Sequence, residues 1–206
     1  MSNFFNKNKD FLAPTVSEVP QTEPKETMWD FIRDIVKFTI IAVVIVAPIR
    51  YFIAQPFIVS GESMDPTFAN GQYLIIDEIT YRMHSPERGD VVIFKYPKDP
   101  SKYFIKRIVG LPGETVTVTG GDITIVNKEH SDGMVLNEPY IKNVSFDSVK
   151  SVTLKDDEYY AMGDNRANSL DSRYWGPLPA KDLVGRVLVR LFPPNKIGIF
   201  PGKETQ

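Results

Sequence analysis

From Gly71 to Phe192 the sequence is cut into short β-branched runs with turn formers between them, and this limits the fold more than any other feature. The runs are "QYLIIDEIT", "DVVIFKYP", "YFIKRIVG", "ETVTVTG", "DITIVN", "SVTLKDDEYYAM" and "LVGRVLVRLF". Segments of this length and composition are strands. Gly120-Gly121, between two alternating runs, suits a tight hairpin, and Asp132-Gly133 marks a second turn inside a polar excursion over residues 128–143. No strands alternate with helical patterns, so a parallel βαβ sheet is not expected. The predicted fold is mainly β: an antiparallel, coiled or barrel-like sheet domain over about residues 57–200, with an excursion around 111–160 and a short tail at 201–206. With 206 residues, 42% of them hydrophobic, one domain of ordinary size plus an appendage accounts for the chain.

The appendage is N-terminal. Residues 10–27 carry three prolines, several acids and hydroxyls, and few large apolar groups, a composition that cannot repay the entropy of folding. Residues 1–27 therefore read as a disordered cytoplasmic leader. Thr27 with Asp30 resembles a capping box, and Phe31, Ile32, Ile35 and Val36 follow at helical spacing, so a helix starts near Met28. It runs into an uninterrupted apolar stretch from Phe38 to Ile49.

That stretch is shorter than the ~20 residues a bilayer core needs, and on length alone a buried core helix competes. Extension to Val59 gives 22 residues with one charge, Arg50, which can snorkel, while Tyr51, Phe52 and Phe57 suit the interface. The expectation is a single transmembrane helix over 28–56. Lys7, Lys9, Lys25, Arg33 and Lys37 precede it, and after Arg50 no Lys or Arg appears until Arg82. The amino terminus should therefore stay in the cytoplasm and the β domain outside it. A cleavable secretory signal would need a charged region far longer than usual.

Composition removes several chemistries. The chain has no cysteine, which excludes disulfides, thiolate zinc sites and a cysteine nucleophile. Its formal net charge is -2 and it has no Lys/Arg-rich run, so nucleic acid is not an expected partner.

Residues 60–67, "SGESMDPT", hold two serines ahead of a Met-Asp-Pro turn. A serine hydroxyl is a nucleophile only when a neighbouring base takes its proton. The two histidines, His84 in "RMHSPERG" and His130 in "KEHSDG", lie in polar turn contexts that suit surface imidazoles. "YFIKRIVG" instead places Lys106 and Arg107 in an apolar strand, one on each face, so that one of them faces the interior. Arginine keeps its proton at any working pH, whereas a lysine among apolar groups loses it more readily. Lys106, flanked on its own face by Phe104 and Ile108, is the candidate base. A third stretch, "MGDNRANSLDSRYWGP", reads either as a self-capping Asx-rich loop or as a supporting shell. In the second reading Ser169 hydrogen-bonds the lysine amine and Asp171 pairs with Arg173.

The three stretches "SGESMDPT", "KYFIKRIVGLPGE" and "GDNRANSLDSRYWG", in this order, together with "RGDVVIFKYP" (88–97), resemble the type I signal peptidases over residues 29–195. The resemblance implies that Ser63 is the nucleophile and Lys106 the general base, with Ser169 orienting the lysine and Asp171 and Arg173 forming a supporting ion pair. Asp164 belongs to the shared loop motif. The backbone N–H of Ser63 would be an oxyanion donor. One branch of the family carries a serine side-chain donor two places before the nucleophile; here that position is Gly61, as in other bacterial members. Phe57, Val59, Met64, Phe104 and Ile105 would line shallow pockets for small residues of an extended, Ala-x-Ala-like cleavage site. The implied enzyme is a bacterial membrane endopeptidase that removes signal peptides from exported preproteins, with the preprotein and the lipid bilayer as partners and neither cofactor nor metal. A self-cleaving repressor shares the chemistry but would carry a DNA-binding head. A catalytically dead β module would have no reason to bury a lysine, and a sortase needs cysteine.

Overall fold

The computed structural model describes residues 27–48, 54–141 and 149–203. Most of the expected leader, part of the expected helix, part of the excursion and the last three residues of the tail lie outside these ranges. Helix α1 spans Met28–Pro48. It opens with the capping box read from the sequence: the Thr27 hydroxyl lies 2.6 Å from Asp30 Oδ2, and the Thr27 N–H donates to the same carboxylate at 3.2 Å. Asp30, Arg33, Asp34 and Lys37 occupy its first half. Among the described residues no helix is long and apolar enough to cross a membrane.

The expected span over 28–56 is corrected at its far end. Ala54–Ile58 form strand β1, which pairs antiparallel with β2, Tyr73–Asp77. Hydropathy could not separate the two because "PFIV" is as apolar as the run before it. What separates them is the ladder partner, fifteen or more residues further along the chain.

All the described strand pairings are antiparallel. The remaining strands are β3 (Val91–Tyr96), β4 (Asp99–Gly110), β5 (Thr115–Thr119), β6 (Asp122–Val126), β7 (Met134–Val135), β8 (Lys150–Thr153), β9 (Glu158–Met162), β10 (Leu178–Pro179), β11 (Leu183–Phe192) and β12 (Gly198–Ile199). The larger sheet runs β1-β2-β11-β3-β4-β9-β10, with β12 added to β11, and the smaller runs β7-β6-β5-β8. The larger sheet is open, with β1 and β10 at its ends, rather than closed as a barrel. Gly120 and Gly121 both have positive φ in the β5–β6 turn, and Gly133 (φ +90) leads into β7, so both expected turns are present. Two short helices, α2 (Thr80–Met83) and α3 (Ser172–Trp175), complete the domain.

Three apolar clusters hold these layers. One packs Met64, Phe68, Leu74, Ile76, Ile93 and Ile105. A second, including Val92, Phe94, Ile108, Trp175 and Leu178, draws on the alternate residues of β3 and β4, so it fills the opposite face of the same strands. The third fills the smaller sheet and includes Val109, Val116 and Tyr160. Both faces of β4 are thus covered at residues 105–110, all of which are buried. This corrects the expectation that only one of Lys106 and Arg107 faces inward, since alternation sends a side chain to solvent only where one face is bare.

On its other edge β4 meets β9 only from Arg107 onward. Its preceding half, paired with β3, offers an open ladder edge. Close approach is required at Gly185 of β11, where a Cβ would collide with the Asp77 carbonyl oxygen and reach Ile76 Cγ2 at 2.8 Å. Gly185→Ala should therefore destabilise the β domain by about 1–3 kcal/mol, read as a lowered Tm. Gly198→Ala, with nothing within 4 Å, should leave Tm unchanged.

Candidate active site

The chain leaves β1 and is clipped to the start of β2 by two backbone hydrogen bonds, Val59 N–H to Gln72 O at 2.9 Å and Gly71 N–H to Val59 O at 2.8 Å. Gly61 then turns at φ +92, where a side chain would be strained although space is open. Its N–H donates to Asn70 Oδ1 at 2.9 Å. Met64 and Phe68, both fully buried, plug the following turn into the core. Ser63 is left half-buried between a fixed glycine turn and these two anchors. Its backbone N–H donates no hydrogen bond within the described residues.

Lys106 comes from the opposite direction, on the covered part of β4, and is 3% exposed. Its Nζ stands 2.7 Å from Ser63 Oγ and donates to the Ile105 carbonyl oxygen at 2.8 Å, with the Phe104 ring centroid 5.3 Å away. When the amine is neutral, an N–H held by Ile105 O leaves the lone pair for the Ser63 hydroxyl. Burial lowers the lysine pKa from 10.5 to about 8, opposed by the Asp171 and Asp164 carboxylates and aided by the Arg173 charge. That displacement corresponds to about 3 kcal/mol against the ammonium form, and leaves about one amine in ten neutral at pH 7.

The segment after β9 supports both groups. The Asn165 N–H donates to Ser63 O at 3.0 Å, and its side-chain amide donates to Glu62 O at 3.1 Å. A Cβ on Gly163 would collide with both Ser63 O and Ser169 Oγ, so the backbone passes where only glycine fits. Asp171 caps α3 and binds Arg173 through two oxygens, at 2.7 and 2.8 Å, both side chains being buried. Its Oδ2 also accepts from the Gly163 N–H at 3.1 Å. The expected Asp171–Arg173 pair is thus formed.

Asp164, of the shared loop motif, lies near Lys106 and is held by Arg107, at 2.9 and 2.6 Å, and by the Thr67 hydroxyl at 2.6 Å. One expectation is not met here. Ser169 is buried beside the bare Cα of Gly163, and its Oγ has no hydrogen-bond partner among the described residues. Lys106 Nζ is bonded instead to Ser63 and Ile105, so the expected Ser169–amine bond is absent.

Ser63 and Lys106 open into a cleft of about 810 Å³ that is also lined by Phe57, Val59, Gly61, Phe104 and Ile105. Met64 does not line it: at 1% exposure it packs in the core beneath, because the turn after Ser63 points the next side chain inward. Leu170, Asn168, Ile93 and Leu74 are further walls that the motifs did not indicate. His84 and His130 are exposed and line other hollows. No group of His, Cys, Asp or Glu among the described residues could hold a metal ion.

A family profile described as "Signal peptidase, peptidase S26" matches residues 32–192. The chain belongs to this family. It is 34% identical to the probable signal peptidase I-1 of Synechocystis sp., over 86% of this chain and 91% of that one. It is 38% identical to the probable signal peptidase I-2 of the same organism, over 85% and 79%. A signal peptidase I crystal structure from Enterococcus faecalis V583 shares 28% identity, covering 50% of this chain and 97% of that one, with a TM-score of 0.42.

Sequence reasoning assigned no bracing role to four residues that support this signal peptidase site from behind: Arg107, Thr67, Gly163 and Asn165. Arg107 showed as an arginine inside an apolar strand, and the other three lie within the quoted motifs. The Lys106 amine should titrate near pH 8, followed by NMR of labelled lysine. Asp171→Asn should lower that value further, because it removes the carboxylate that most favours the ammonium form and leaves the Arg173 charge that opposes it.

Proposed function

We infer that the protein removes N-terminal signal peptides from exported preproteins as a serine endopeptidase, with Ser63 the nucleophile and Lys106 the general base. The observation that carries this reading is a lysine amine, buried and biased towards its neutral form, 2.7 Å from a serine hydroxyl at the floor of a cleft. Family membership supplies the reaction class.

Ser63 Oγ attacks the scissile carbonyl carbon and its proton passes to Lys106 Nζ. The oxyanion accepts a hydrogen bond from the Ser63 N–H, which no other group among the described residues occupies. When the C–N bond breaks, the ammonium returns its proton to the leaving amine, and the peptide carbonyl remains as an ester on Ser63. Neutral Lys106 then takes a proton from water, whose oxygen attacks the ester carbon. Loss of the Ser63 alcohol releases the signal peptide's carboxylate. The cleft suits a chain in extended conformation: β1 is an edge strand, the first half of β4 has an open ladder edge, and Phe57, Val59, Phe104 and Ile105 leave room for small side chains between them.

The N-terminal helix supports a membrane setting. From Phe38 to Val46 its large apolar side chains are all exposed, on every face. A helix apolar all round needs an apolar surrounding. The proposed surrounding is lipid, with the amino terminus, which carries Lys7, Lys9 and Lys25, cytoplasmic and the β domain extracytoplasmic.

Ser63→Ala and Lys106→Ala should each abolish cleavage of a preprotein in detergent, product termini being read by mass spectrometry. Lys106→Arg should also be inactive, since arginine cannot release its proton; full activity there would refute the neutral-base mechanism. A His84→Ala/His130→Ala double variant should cleave normally. In cells the protein should stay with carbonate-washed membranes, its β domain open to external protease in spheroplasts. Recovery in the soluble fraction would overturn the membrane placement.

A further inference from the structure

Residues 136–141, the described part of the segment after β7, do not line the cleft, yet two of their side chains are packed against the loop behind them. The Glu138 carboxylate accepts from Arg166 Nη2 at 2.5 Å, with side-chain exposures of only 8% and 3%. It also accepts from the Tyr140 hydroxyl at 2.8 Å. The Tyr140 ring centroid lies 3.9 Å from the guanidinium carbon of Arg107, the arginine that grips Asp164. Arg166 in turn donates from Nε to Gly163 O at 3.1 Å, and its own carbonyl accepts from Arg173 Nη2 at 2.7 Å.

These contacts converge on three consecutive residues. Gly163 is held by Arg166 and by Asp171, Asp164 by Arg107, and Asn165 carries the hydrogen bond to Ser63 O. Among the described residues Glu138 is the only carboxylate paired with the buried Arg166, and Arg166 Nη1 has no hydrogen-bond partner there. Loss of that carboxylate leaves a buried guanidinium charge uncompensated, and relief requires Arg166 to move towards water and draw Gly163 O with it. Burial and the Glu138 charge both raise the Tyr140 pKa, so its hydroxyl stays a donor across the working range.

We propose that Glu138, assisted by Tyr140, is a positioning residue for signal-peptide cleavage, a latch that sets the Gly163–Asn165 turn and through it the carbonyl of Ser63. This rests on the Ser63–Lys106 chemistry proposed above. The latch lies in the excursion and outside the three catalytic stretches, so it couples the order of that segment to the alignment of the nucleophile. It touches neither substrate edge, β1 nor the open half of β4, and therefore bears on turnover rather than on substrate binding.

The test compares full-length wild type, Glu138→Ala, Glu138→Gln, Tyr140→Phe and the double variant Glu138→Gln/Arg166→Gln on one preprotein in detergent, with rates counted per folded molecule by circular dichroism. Glu138→Ala should lower kcat roughly 100-fold, as displacement of a reacting group by about 1 Å does, with KM changed by no more than about twofold. Tyr140→Phe should lower kcat less. The double variant should recover much of the kcat lost in Glu138→Gln, because no unpaired buried charge remains; purely structural damage would instead accumulate. A folded Glu138→Ala with wild-type kcat, or one whose KM rises at unchanged kcat, overturns the latch. Should Glu138→Ala fail to fold, a Tyr140→Phe variant with wild-type kcat and a double variant no faster than Glu138→Gln overturn it equally. An inactive wild type would sink the peptidase reading, and the latch with it.

Discussion

The burial of one amine on β4 organises this molecule. Lys106 is 3% exposed because it lies on the stretch of β4, Ile105 to Gly110, whose faces are both covered by apolar clusters, Ile108 and Phe104 on its own face among them. The consequence is a lysine whose pKa falls to about 8. Burial in a uniformly apolar pocket could lower it by several units more, and here two carboxylates limit the fall. Desolvation wins, moderated by Asp171 and Asp164, and the proposed base is an amine with a neutral fraction at neutral pH that an ordinary lysine lacks.

Those carboxylates are themselves buried and would be untenable alone. Each is matched by an arginine through two contacts, Asp171 by Arg173 and Asp164 by Arg107. Breaking such a pair by removing one partner costs about 3–5 kcal/mol, whereas an exposed pair such as Lys155–Glu158 is screened by solvent and decides nothing in the fold. The ion pairs behind the site thus decide the local architecture, and the surface pairs do not. Their arrangement ties the segment 163–173 to β4 and to the excursion at once. The Ser63 turn is fixed from the other side by Asn165, by the Gly61–Asn70 bond and by the core plugs Met64 and Phe68.

Much of this was legible in the linear order of residues. The Gly120-Gly121 hairpin and the Thr27–Asp30 capping box rest on interactions within a few residues, which local spacing reports directly. Strands β2–β6 and β11 showed in their β-branched patterning although partners such as β2 and β11 lie more than a hundred residues apart, while the two-residue strands β7, β10 and β12 left no pattern to read. The choice of Lys106 over Arg107 as base follows from intrinsic acidity, which no fold alters. Errors arose where a distant segment supplies the deciding contact. Ala54–Ile58 became a strand because β2 offered a ladder; Met64 left the cleft wall because the turn aimed it into the core; Ser169 missed the amine because Gly163 let it settle against the loop backbone.

Residue chemistry and short-range periodicity were enough to specify a mainly antiparallel β protein carrying a serine, a candidate lysine base and an Asp–Arg pair, since hydroxyl, amine and strand alternation are properties of individual residues and near neighbours. The register of β3, β4 and β9 brought Ser63 and Lys106 within 2.7 Å across 43 residues of chain, and Arg107 and Asp164 together across 57. The second packed layer then buried both faces of β4. Neither outcome is written in any local pattern, because each depends on which strand edges meet and on what covers them once they have met.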